Sequence, residues 1–150
     1  MNLDNIIIKI ANSNDANGLH RCMNQAYLAY SSMLGGLRLP PMDVDYSEEI
    51  RLYPVWVALK RNEIVGGLIM VFDRDKASVA NVAVSPKAQG LGIGRKLMNF
   101  AEKEARDRGY SELNLATHVL LEDNVSLYKH LGWKVTSCDE THIYMEKCIT

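Results

Sequence analysis

The sequence predicts an α/β fold: a mixed, mostly antiparallel sheet of about seven strands with about four helices and one parallel βαβ crossover. Three observations predict it. Val55–Leu59, Ile64–Phe72 and Ser78–Val84 follow one another with only short turns between them, which makes three antiparallel strands in series. Gly92–Arg108 has helical periodicity and lies between Ser78–Val84 and a further apolar run, Ser111–Thr117. A strand reached through a helix returns parallel to its predecessor, by a right-handed crossover. Finally, 150 residues without linker, repeat or low-complexity stretch suit one domain, 1–150.

The elements follow in order. Ile6–Ile10 reads as a first strand. Ser13 is positioned to cap a helix from Asn14 to Tyr30, where Leu19, Met23, Ala26 and Tyr30 share one face. Gly35, Gly36, Pro40 and Pro41 break structure between Ser31 and Met42. A short acidic helix follows near Asp43–Arg51. Val55, Val57 and Leu59 alternate, Arg61–Asn62–Glu63 turns the chain, and Ile64–Phe72 returns as a buried strand. After Ser78–Val84, the helix Gly92–Arg108 carries Ile93, Leu97, Ala101 and Ala105, and Gly109 stops it. Beyond Ser111–Thr117, a short helix starts at Asp123 or Asn124 and ends at Gly132. Trp133–Cys138 and Thr141–Lys147 close the chain as a hairpin about Asp139–Glu140.

Composition excludes several classes. Seventeen basic and 18 acidic residues give a net charge of −1, so no electrostatic attraction to nucleic acid or membrane surface is expected. No apolar run approaches the roughly 20 residues that cross a bilayer, and the first residues lack the features of a signal peptide. Cys22, Cys138 and Cys148 are an odd number without CxxC spacing, and are read as reduced, packing thiols of a cytoplasmic protein. The four histidines are scattered, and no metal site is expected.

Val82–Arg95 is the most informative segment. A Val-rich strand is broken by Pro86, glycines stand at 90, 92 and 94, and a helix begins at once. Free N–H groups and the positive end of a helix dipole suit a phosphate or pyrophosphate. The loop ends Gly94–Arg95–Lys96, so it is not a P-loop, and its GxGxG spacing is not the GxGxxG of dinucleotide binders. Gln89–Gly90–Leu91–Gly92–Ile93–Gly94 instead resembles the acetyl-coenzyme A loop of the GNAT N-acetyltransferases. Asn124–Trp133 resembles that family's second signature, N-x-x-x-x-Y-x-x-x-G-F/W, and the order of elements agrees from Ile6 to Lys147.

The resemblance implies a GNAT-like fold and an acetyl-coenzyme A-dependent transfer of an acetyl group to a primary amine, directly in a ternary complex. Gln89, Gly90, Leu91, Gly92, Ile93, Gly94 and Arg95 would wrap the pyrophosphate of acetyl-coenzyme A, the cosubstrate. The edge at Val82 and Val84 would pair with the pantetheine amide, Asn124 would contact the pantetheine arm, and Tyr128 would be the general acid. Without the resemblance, Tyr128, on the face with Leu131, reads as a core aromatic and Asn124 as a helix cap. Many family members carry a Glu as general base where this chain has Ala80. That substitution favours the alternative of a non-catalytic acyl-coenzyme A-binding or sensing module, and Tyr128 argues against it. His118, just beyond a strand, is a candidate base. Asp43, Asp45, Glu48 and Glu49, aided by Tyr30 and Tyr46, are candidates for attracting a cationic acceptor. The expected partner is a small-molecule or peptide amine, and a homodimer is compatible with the sequence.

Overall fold

The computed structural model describes residues 5–150. Seven strands form one sheet: β1 (Ile6–Ile10), β2 (Val55–Lys60), β3 (Glu63–Phe72), β4 (Ala77–Val84), β5 (Glu112–His118), β6 (Lys134–Cys138) and β7 (His142–Cys148). Four α-helices accompany them: α1 (Ala16–Met33), α2 (Tyr46–Leu52), α3 (Ile93–Asp107) and α4 (Glu122–His130). The spatial order is β1-β2-β3-β4-β5-β7-β6, and β4–β5 is the parallel pair, joined through α3 as expected. None of the described helices is long and apolar enough to cross a membrane.

The helices pack on both faces. Leu97, Met98, Ala101 and Ala105 of α3 bury against Leu68, Met70, Val79, Leu113 and Leu115. Leu19, Met23 and Ala26 of α1, with Tyr46 of α2, bury against Val55, Val57, Ile69 and Ala83. Consecutive glycines in β3 let both layers come close. A Cβ on Gly66 would stand 3.2 Å from Leu97 on one face, and a Cβ on Gly67 would stand 2.5 Å from Leu19 on the other. Neighbouring residues of a strand point to opposite faces, so one Gly-Gly step admits two helices.

A bulge interrupts β4. Ile69 pairs with Asn81 but Met70 pairs with Val79, leaving Ala80 as an extra residue. Its effect is visible in the packing: Val79, Val82 and Val84 join the α3-side cluster, whereas Ala83 joins the α1-side cluster. Side-chain parity is therefore inverted across Ala80.

Several boundaries differ from expectation. Asn12, not Ser13, makes the first cap: its side chain accepts from the N–H of Asn14, while the carboxylate of Asp15 accepts from the N–H of Asn12. This box nucleates a 3₁₀ turn, Ser13–Asp15, and α1 starts only at Ala16. The helix also runs past Tyr30 to Met33, because the first residues able to adopt positive φ are Gly35 and Gly36. The acidic helix begins at Tyr46, where Asp45 accepts from the N–H groups of Ser47 and Glu48. Asp43 belongs to a separate 3₁₀ turn started by Pro40. α4 begins at Glu122, so Asn124 lies inside the helix and is not its cap. Of the cysteines only Cys22 is buried, and burial pushes its thiol up to about 11; Cys138 and Cys148 are exposed.

Candidate active site

The site originates where β4 and β5 part. Their parallel pairing stops at Val79 and Leu115, although β4 continues to Val84 and β5 to His118. Residues 80–84 therefore present a backbone edge that β5 does not cover. Two clefts flank the opening. The larger, about 500 Å³, is lined by Val82–Val84, the loop Gln89–Arg95 without Leu91, Tyr27 and Tyr30 of α1, and Asn124 and Tyr128 of α4. The smaller, about 240 Å³, lies between residues 79–82, residues 115–118 and the turn Leu39–Pro41. Tyr27, Val82, Asn124 and Tyr128 line both and form the partition between them.

The loop meets the expectation for an anion cradle. Gly90 and Gly92 have φ of +83° and +75°, a backbone state that strains any residue with a Cβ. The first bond of α3 runs from the N–H of Lys96 to the carbonyl of Gly92, which leaves the preceding amides of the first turn free. Gly94 is more telling. It has no positive φ, and a Cβ there would meet only Val84 at 3.8 Å. Packing does not require glycine at 94; an approach by a ligand along the cleft wall would. Coenzyme A, an extended amide-bearing arm joined to a pyrophosphate, fits this combination of free strand edge and glycine cradle.

The structure gathers the predicted residues Val82, Val84, Gln89, Gly90, Gly92, Ile93, Gly94, Arg95, Asn124 and Tyr128 around the larger cleft. Leu91 does not line it; its side chain is exposed at the tip of the loop. Tyr128 is 7% exposed, and burial, followed by the nearby phenol of Tyr30, raises its pKa well above that of free tyrosine. A phenol so placed keeps its proton through neutral pH.

Tyr27 and Asn81 were not legible as site residues, and Tyr30 has a partner that the sequence does not show. The Tyr27 hydroxyl donates to Asn81 Oδ1 at 2.9 Å, and burial holds its pKa high. Asn81 Nδ2 in turn reaches the Tyr46 hydroxyl at 3.5 Å, which donates to the carbonyl of Pro41 at 2.6 Å. This chain ties α1, the bulged strand and the smaller cleft together. The Tyr30 hydroxyl donates to Asn124 Oδ1 at 3.1 Å and thereby fixes the side chain that resembles the pantetheine contact.

The acidic segment stands apart from the walls of both clefts. Asp45 caps α2, Glu48 pairs with Arg51 at 2.7 Å, Asp43 pairs with Arg38 at 2.7 Å, and neither they nor Glu49 line either cleft. His118 does line the smaller cleft, but its Nδ1 accepts the N–H of Leu120 at 3.1 Å. Among the described residues no cluster of His, Cys, Asp or Glu could hold a metal ion.

Solved structures with this fold include the PaiA N-acetyltransferase of Thermoplasma acidophilum in complex with coenzyme A. It has a TM-score of 0.83 and 21% identity over 96% of this chain and 99% of that one. The ribosomal-protein-S18-alanine N-acetyltransferase of Escherichia coli superposes with a TM-score of 0.75 and 19% identity, over 97% and 95% of the two chains. The architecture is thus that of the acetyltransferase class. The model of the Acetyltransferase (GNAT) family matches residues 23–133, and the chain belongs to that family. Among curated relatives, the uncharacterized N-acetyltransferase YjgM of Escherichia coli (strain K12) is 29% identical over 93 residues, 59% of this chain and 54% of that protein. Human N-acetyltransferase 8B is 33% identical over 95 residues, 59% of this chain and 42% of that protein. The chain spans about half or less of the length of these relatives.

Proposed function

We propose that residues 1–150 act as a single N-acetyltransferase domain that moves an acetyl group from acetyl-coenzyme A to a primary amine, by direct transfer in a ternary complex. The carrying observation is the partition: Tyr128 belongs to the walls of both clefts, so a donor in one and an acceptor in the other would meet beside its hydroxyl. The glycine loop, with Arg95 and the amides of Leu91, Gly92, Gly94 and Arg95, would hold the pyrophosphate. Val82 and Val84 would offer backbone groups to the pantetheine arm, and Asn124, held by Tyr30, a side-chain contact.

In the transfer, the amine nitrogen attacks the thioester carbonyl carbon. A C–N bond forms, the C–S bond breaks, the departing sulfur takes the phenolic proton of Tyr128, and the proton lost by the attacking nitrogen restores that phenol. A backbone N–H on the uncovered edge near Val82 would face the developing oxyanion. The ternary complex needs no protein nucleophile, and Cys22, the buried thiol, lies outside both cleft walls.

The smaller cleft also bears on the acceptor. Leu39, Pro40, Pro41, Val79, Leu115 and Leu121 give it apolar walls, and it has no carboxylate among its lining residues. This favours an amine with an apolar body over a polycation. Three cysteines outside any disulfide fit the cytoplasm as the place of action.

The test is thiol release from acetyl-coenzyme A with a panel of phenethylamine, spermidine and an alanine-starting peptide. Phenethylamine is expected to be turned over faster than spermidine. Tight binding of acetyl-coenzyme A with no thiol release for any amine would instead establish the binding-module reading, for which Ala80 is the observation in favour.

A further inference from the structure

An incoming ammonium must lose a proton before its nitrogen can attack, and Ala80 offers no base. Apart from tyrosines, the titratable groups lining the smaller cleft are His118 and His142. They face each other in register across β5 and β7, with ring centroids 5.9 Å apart. Their partners distinguish them. A backbone amide can only donate, so the bond from Leu120 N–H obliges neutral His118 to carry its proton on Nε2. That ring has no lone pair to offer.

His142 has a different partner. Its Nδ1 lies 2.8 Å from Thr141 Oγ1, a group that both donates and accepts. The same hydroxyl donates to Asp139 Oδ1 at 3.2 Å. Asp139 also accepts from the N–H groups of Thr141 and His142 and from the Tyr144 hydroxyl, which hold its carboxyl at about 2 and keep it anionic. An ionised carboxylate is a stronger acceptor than a neutral imidazole. The Thr141 proton therefore turns to Asp139, the hydroxyl oxygen accepts Nδ1–H from His142, and Nε2 keeps its lone pair.

We propose that His142 Nε2 is the general base of this site, with Thr141 and Asp139 as positioning residues. The assignment rests on the acetyltransferase reading above. The ammonium of the acceptor gives one proton to Nε2 and becomes a neutral amine; the imidazolium donates Nδ1–H to Thr141, whose hydroxyl passes the interaction to the Asp139 carboxylate. The amine then attacks the thioester, Tyr128 protonates the departing sulfur, the second amine proton restores the Tyr128 phenol, and the proton held by His142 leaves to water as the one net proton released. The titratable groups around His142 are Asp139 in the hairpin, Tyr144 beside it on β7, His118 on β5 and Tyr128 across the cleft on α4; no lysine or arginine lines this cleft. The imidazolium thus meets a carboxylate through one hydroxyl and no competing ammonium or guanidinium in the cleft.

Two measurements test the assignment. Nitrogen-15 NMR of the neutral imidazoles should show the Nδ1–H form for His142 and the Nε2–H form for His118, and Thr141→Val should erase the His142 preference while leaving that of His118. His142→Gln should lower kcat about 100-fold with the fastest acceptor of the amine panel, while the Kd for acetyl-coenzyme A stays within twofold. An Nε2–H form for His142, or an undiminished kcat in His142→Gln, overturns the assignment and leaves the transferase reading standing. The NMR comparison with Thr141→Val decides the matter even if His142→Gln does not fold. A wild-type protein that binds acetyl-coenzyme A but releases no thiol with any amine of the panel overturns the transferase reading, and the assignment falls with it.

Discussion

Replacing Tyr128 by phenylalanine isolates one proton. The ring stays, so its contact with Trp133, at 6.2 Å between centroids, is preserved and only the hydroxyl is lost. General-acid assistance is worth roughly 10²- to 10⁴-fold in rate. A thiolate is a good leaving group, with a parent thiol near about 8.5, which places the expected loss at the low end, about 100-fold or ~2.7 kcal/mol in the barrier. Stopped-flow thiol detection at saturating acetyl-coenzyme A would read kcat, and a direct titration would read the Kd, expected to remain within twofold. Stability should change by less than about 1 kcal/mol, because the ring still fills its site. The raised pKa adds a pH signature. A general acid works below its pKa and fails as pH rises through it; with the phenol held well above free tyrosine, the alkaline limb due to Tyr128 should lie above about pH 10. A variant with kcat within twofold of wild type, or one whose loss is entirely in acetyl-coenzyme A affinity, would refute this reasoning.

Three further outcomes are expected. Gly92→Ala keeps open space around its Cβ but must hold φ near +75°, which costs about 1–2 kcal/mol; the melting temperature should fall by several degrees, as calorimetry would show. Gly67→Ala would push against Leu19 and Met23 at 2.5 and 2.7 Å, and denaturant unfolding should report a loss of about 1–3 kcal/mol. Tyr27, Tyr46 and Tyr128 all have pKa values raised by burial, so the folded state binds their protons more tightly than the unfolded chain does. Their contribution is fully present below about pH 10 and is lost as pH rises further, and the urea midpoint should decline through that window.

The elements legible in the sequence were those with a local cause. Alternation in Val55–Leu59, the four-residue spacing from Ile93 to Ala105, and glycines at 90, 92 and 94 each state their geometry within a few neighbours. The second signature, Asn124–Trp133, placed Tyr128 beside the glycine loop across a long stretch of chain. What escaped depended on partners far away. Tyr27 shares the pocket-facing side of α1, but its role comes from Asn81, and that of Tyr30 from Asn124. Nor does sequence show that Arg38 and Arg51 engage two of the acidic residues near α2 and that a third caps the helix. His142 became chemically distinct only once the register of β5 and β7 set it against His118, with Thr141 and Asp139 at its back.

The extra residue in β4 has a consequence for how this strand tolerates change. Ala80 works as a phase shifter: the strand is written in one frame before it and in the opposite frame after it. Deleting that single residue would rotate Val82, Ala83 and Val84 onto the wrong faces together, exchanging the α3 side of the sheet for the underside of α1. Exchanging its side chain is a different operation, since Ala80 is exposed, stands outside the ladder and borders the smaller cleft. Length at this point is therefore fixed by the fold, while identity is free for chemistry. Position 80 is a socket into which a new functional group can be placed without rewriting the strand that carries it.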